Sequence, residues 1–194
     1  MPLVVSELCL DQAKKLFPER EDLLQIAETS SIVWDEGASP ANWSWDTKEI
    51  KLHPTLEKDP EKLLFFLLFE LCNAARTSEF KAIKATNVED FVEAVERVEY
   101  ASSLEATRIL GSRRFPQFDS FEHHYLYQQL QGHSERIAKE NFPHLEYHGS
   151  ISSLSKQEKA VLLACLQCQL KGDKERFSQF HLYLPEQFKH LQFS

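Results

Sequence analysis

Residues 61–78 read Glu-Lys-Leu-Leu-Phe-Phe-Leu-Leu-Phe-Glu-Leu-Cys-Asn-Ala-Ala-Arg-Thr-Ser, and Glu70 is the only charge between Lys62 and Arg76. A helix this apolar on every side belongs in the middle of a core. A carboxylate in that setting is costly unless it is paired or hydrogen-bonded. Two constraints follow. One helix must sit at the centre of the fold, and Glu70 must find a partner. Arg97, Arg108, Trp43 and Trp45 are the candidates the sequence offers.

The helix has a clear start. Asp59 is suited to the N-cap, with Pro60 at the first helical position. Before it, 31–35 is rich in β-branched and aromatic residues and reads as a strand. In 43–53 the alternation of Trp43 with Trp45, then of Ile50 with Leu52, predicts strand, turn and strand packed on the apolar helix. Short helices are expected at 6–17, lined by Leu8, Ala13, Leu16 and Phe17, and at 20–29. Asn87 caps a helix from 88 to 110 that ends at Gly111, with Phe91, Val95, Val98, Ser102 and Ile109 as its packed face. One further helix is expected over 120–140, running past Gly132. Ser155 with Glu158 forms a capping box for the last long helix, to 170. One or two short helices should surround Pro185. The fold class expected is α+β and mostly helical, with a small hairpin or sheet on a buried central helix. A single domain over 1–194 is expected, with 30–110 holding the hairpin and two helices and 111–194 a helical C-terminal part.

Charge narrows the partners. Residues 1–110 carry a net of −9 and residues 111–194 a net of +1. An acidic chain without a basic stripe is a poor match for nucleic acid or for an anionic membrane surface. The longest uninterrupted apolar run is 63–69, far short of the ~20 residues of a membrane span. The four cysteines are Cys9, Cys72, Cys165 and Cys168. The Cys165/Cys168 pair falls well inside a helix rather than at its start, so buried reduced thiols are expected, which suits a reducing compartment. The N-terminus lacks the basic region and long apolar run of a signal peptide. A cytoplasmic protein is expected, with signal-independent export as the alternative.

The order strand, turn, strand, then apolar helix with a central glutamate resembles the active-site half of a zincin metallopeptidase. In that family the helix carries His-Glu-x-x-His followed by small residues. Here the aligned stretch is Phe69-Glu70-Leu71-Cys72-Asn73-Ala74-Ala75-Arg76. The glutamate and the small residues fit, but Phe69 and Asn73 replace both histidines. Two imidazoles one turn apart supply half a zinc shell, and the glutamate polarises the bound water. Phenylalanine cannot bind a metal, and a neutral amide is a weak zinc ligand. The resemblance therefore implies a degenerate, metal-free relative, a pseudo-metallopeptidase with no cofactor. Glu96 and Glu99 stand where a third zinc ligand could come from, although acidic residues on an amphipathic helix ordinarily form a solvated face.

Other chemistries have little support. His144 and His148 are spaced i, i+4, but Pro143 and Gly149 leave barely a turn, so a surface loop is expected rather than a metal pair. His123 and His124 adjoin and point about 100° apart on a helix. His53, His133, His181 and His190 show no pairing. There is no Gly-x-Ser-x-Gly elbow and no glycine-rich phosphate loop. The expected function is a non-catalytic protein-interaction module on a degenerate zincin-like scaffold, of the kind found among bacterial effectors and toxin-associated proteins. It would bind a protein partner through its acidic first half. The alternative is a hydrolase-type enzyme that reuses Glu70 with Glu96 or Glu99 as general base or metal site.

Overall fold

The computed structural model describes residues 11, 13–38, 40–111 and 118–193. Cys9, Leu8 and the start of the helix expected at 6–17 lie outside them. Among the described residues the fold is α+β and mostly helical, with one three-stranded sheet. The chain packs as two compact units. One gathers the described residues of 1–82 and 101–115, the other those of 83–100 and 116–194. The division therefore passes through the long helix rather than following the 110/111 boundary.

In the first unit, helix α1 (Glu21–Thr29) precedes strands β1 (Ser31–Trp34), β2 (Ala41–Ser44) and β3 (Glu49–Leu52). β2 and β3 form the expected hairpin, with Trp43 opposite Ile50 and Ala41 opposite Leu52. β1 joins the other edge of β3 in parallel, Ile32 opposite Ile50, giving the order β1-β3-β2. Helix α2 (Pro60–Ala75) starts at Asp59, whose side chain accepts from the Lys62 amide. Its Leu67, Leu68 and Leu71 share one core with Ile32, Ile50 and Leu52. The hairpin thus lies on the apolar helix, as the alternation of 43–52 requires.

Several local expectations fail for identifiable reasons. Trp45 is exposed rather than buried, because β2 stops at Ser44 and Trp45 enters the turn; it keeps company with Phe80 at 6.2 Å. α2 ends at Ala75, and helix α3 (Thr77–Ala82) begins afresh after Arg76. Burial on α2 is uneven along its length: residues 70–74 are buried on every face, with Leu67 and Leu68, whereas Phe65, Phe66 and Phe69 remain partly exposed and pack on one another. Leu16 is exposed as well, leaving Ala13 and Phe17 to line the first helix. An ion network absent from the sequence reading completes this unit. Glu105 takes Arg20 at 2.6 Å and Arg76 at 2.5 Å. Burial alone would raise the Glu105 carboxyl; the two guanidinium groups outweigh it and hold the acid below its ordinary value.

The second unit uses the first half of helix α4 (Val88–Leu110), which Asn87 caps through its side chain to the Asp90 amide. It also holds α5 (Phe121–Leu130), α6 (His133–Asn141), α7 (Lys156–Leu170) and α8 (Lys174–His181). The single helix expected over 120–140 is two helices. Gly132 adopts φ 76° between them, a left-handed turn that glycine enters without the steric cost borne by other residues. The Ser155–Glu158 capping box opens α7 as expected. Leu162, Cys165, Leu166 and Cys168 pack with Phe177 of α8 and with Leu184, Phe188 and Leu191 beyond it. Burial pushes the Cys72 and Cys165 thiols up to about 12, so both are inert as nucleophiles at neutral pH. Among the described residues no helix is long and apolar enough to cross a membrane.

Candidate functional site

Glu70 lies in the first unit and is 4% exposed. Its Oε2 accepts from Asn73 Nδ2 at 3.1 Å, one helical turn further on. Asn73 therefore serves the glutamate directly. Of the partners expected from sequence, Trp43 donates its Nε1 hydrogen to Thr77 Oγ1 at 3.0 Å, and Arg97 grips Glu93 at 2.7 Å. Asn73 Oδ1 is buried and accepts no hydrogen bond among the described residues.

A denser polar group lies in the second unit, and helical spacing builds it. Val88, Val92 and Glu96 recur every fourth residue on the buried stripe of α4. The two valines pack with Ile137 and Ala138 of α6. Glu96 continues that stripe and is 0% exposed. This overturns the solvated-face reading for Glu96, since the stripe that buries the helix runs through it. α6 brings polar groups to meet the carboxylate. Ser134 Oγ donates to Glu96 Oε1 at 2.7 Å, and His133 Nδ1 lies 3.0 Å from the same oxygen. Glu99, one turn along α4, places Oε2 3.6 Å from His133 Nε2. From α5, His124 Nε2 faces Glu96 Oε2 at 3.5 Å. Both of those atoms are buried and neither makes a hydrogen bond among the described residues. His133, at 21%, and Glu99, at 18%, open this group to water.

The environment separates the two carboxylates. Burial alone would raise Glu96, but the facing His124, His133 and Ser134 outweigh it and hold the acid well below its ordinary value. Burial pushes Glu99 up to about 7; His133 opposes that rise and the charge of Glu96 adds to it. Burial also works to lower His133, yet Glu96 and Glu99 together raise it. Such an arrangement can hold a proton at neutral pH or exchange it for a cation.

The remaining histidines are dispersed. His144 and His148 sit in the loop after α6, as Pro143 and Gly149 imply, and both are exposed. The His148 amide donates to Glu89 Oε1 at 3.0 Å, which ties this loop to the first turn of α4. His123 is buried beside Phe118, and burial lowers its pKa. The sequence singled out Glu96 and Glu99 but missed His133, His124 and Ser134. A histidine just after an isolated glycine was the available signal, and it carries no information about a helix 37 residues upstream. No protein-family model, curated protein or solved structure matches the chain.

Proposed function

We propose that the chain is a non-catalytic protein-binding module whose first unit is a zinc-free, zincin-like scaffold. The buried Glu70–Asn73 hydrogen bond supports the zinc-free part, because the polar residues of the motif helix serve each other inside the core. The observation that carries the binding role lies in the second unit. The turn after α8 exposes Leu182 and Tyr183 at 72% and 74%. Lys189 Nζ donates to the carbonyls of His181 and Leu182 at 3.1 and 2.6 Å, and the His181 ring meets the Lys189 carbonyl at 3.1 Å. Two large apolar side chains on a turn fixed in advance are suited to anchoring a partner, because little ordering cost remains on binding. The acidic first half of the chain, at net −9, favours a partner that is basic overall. In this reading the protein works in a cytoplasm as an effector or toxin-associated pseudoenzyme.

The test is quantitative affinity capture with wild type and a Leu182→Ser/Tyr183→Ser variant, followed by direct binding of the captured protein. The variant should keep the wild-type thermal midpoint and lose at least tenfold in affinity for one basic partner. An identical captured set, bound equally well, overturns the reading. The separation of Glu96 from Glu99 favours a second reading, a hydrolase-type enzyme with Glu99 as the proton-transferring group. Turnover abolished by Glu99→Gln would establish it over the first.

A further inference from the structure

We propose that Glu96, Glu99 and His133 bind one divalent transition-metal ion in the second unit. The inference is independent of both functional readings and of the motif helix, whose Phe69 and Asn73 offer no ligand pair. One donor atom from each of the three residues lies within 4.8 Å of the others. Metal bonds of about 2.0–2.1 Å at a tetrahedral ion set an edge of about 3.3 Å between ligands. Glu99 Oε2 lies 3.6 Å from His133 Nε2, close to that edge, whereas Glu96 Oε1 lies 3.0 Å from the other ring nitrogen, Nδ1, so the ring must reorient before one nitrogen serves both carboxylates.

A second observation points to a missing ligand. Glu96 is wholly buried, yet only its Oε1 is held, by Ser134 and His133. Its Oε2 and the facing His124 Nε2 are both buried without a hydrogen bond among the described residues. The two atoms face each other at 3.5 Å without a well-formed hydrogen bond, so Glu96 Oε2 keeps a lone pair that a cation can take. Ser134 and His124 then act as positioning residues around Glu96, the outer partners a metal-binding carboxylate ordinarily has. Two carboxylates with an imidazole combine hard oxygen donors with one borderline nitrogen. They select zinc, iron or manganese over calcium, which wants oxygens alone, and over copper(I), which wants sulfur. Three protein ligands leave one position for water, which the partial exposure of His133 and Glu99 makes reachable.

The experiment is titration of the chelator-stripped full chain with Zn²⁺ by calorimetry, alongside nitrogen-15 NMR of its labelled histidines. One equivalent should bind, shifting the ring nitrogens of His133 and leaving His144 and His148 unmoved. Glu99→Gln and His133→Gln, both at partly exposed positions, should each weaken binding at least tenfold while keeping the wild-type circular dichroism. Absence of saturable binding to wild type overturns the proposal. So does a zinc-induced shift confined to His144 and His148, a wild-type measurement that stands even where a variant fails to fold.

Discussion

At the scale of single residues, two buried carboxylates are handled differently. Glu70 accepts a hydrogen bond from the neutral amide of Asn73 inside the packed first unit. Glu70→Gln keeps shape and acceptor oxygen and should lower the denaturant midpoint only slightly. Glu70→Ala removes the acceptor and opens a cavity, and should cost about 2–4 kcal/mol. A Glu70→Ala protein more stable than wild type would instead mark Glu70 as a strained functional residue. Glu96 is embedded in charge, and pH reads it out. Its depressed pKa gives stability that is present above the ordinary carboxylate value and lost as pH falls through the lower folded value. The raised Glu99 works oppositely: folding favours its protonated form, so stability falls as pH rises from 4.5 towards about 7. The raised His133 gives stability that is full below 6.5 and lost as pH rises through its folded value. The denaturant midpoint of the metal-free protein should therefore peak near pH 4.5 and decline from there towards pH 8. Glu99→Gln should flatten the decline; an unchanged slope in that variant would show that Glu99 does not titrate there.

At the scale of elements, the break at Gly132 decides where His133 and Ser134 point. The sequence pattern of 120–140 alone favours one helix, and a continuous helix would send α6 on along the axis of α5. The left-handed glycine breaks the helix and turns the chain, with no side-chain cap at the start of α6. A Cβ at Gly132 would meet nothing within 4 Å, so Gly132→Ala carries only the backbone penalty. That penalty is about 1–2 kcal/mol. The variant should melt lower and bind zinc more weakly than wild type, because the turn aims His133 at α4. Equal zinc affinity in the two would show that the cluster does not depend on this turn. α4 shows how far helical periodicity reaches. Its limits and caps were legible, from Asn87 to Gly111, and so was an amphipathic face. The particular stripe was legible only in part. Ser102, expected on the packed face, is buried, and Phe91, Val95 and Ile109 pack partly buried against their cores; the buried Val92, Glu96 and Ala106 were passed over, Glu96 because apolar periodicity gives no weight to a glutamate.

At the scale of the molecule, the sequence by itself determined the elements and the hairpin on the apolar helix. Caps, turns and strand alternation are local, and a helix with one charge in thirteen positions admits few environments. It also determined that α2 carries no histidine pair, since ligand chemistry depends on residue type. Tertiary structure decided the rest. The chain condenses into two units rather than following the order of its segments, and α4 contributes to both. Glu105 gains two arginines, one of them from 85 residues upstream. Glu96 meets Ser134 and His133 from 38 and 37 residues downstream. Those partners were invisible because loop closure over such distances depends on the packing of apolar faces, which brings whole helices together and leaves polar residues wherever helical spacing puts them. A carboxylate on a helix reads as solvated until the opposing helix is known, because burial belongs to the pair of surfaces and not to the residue.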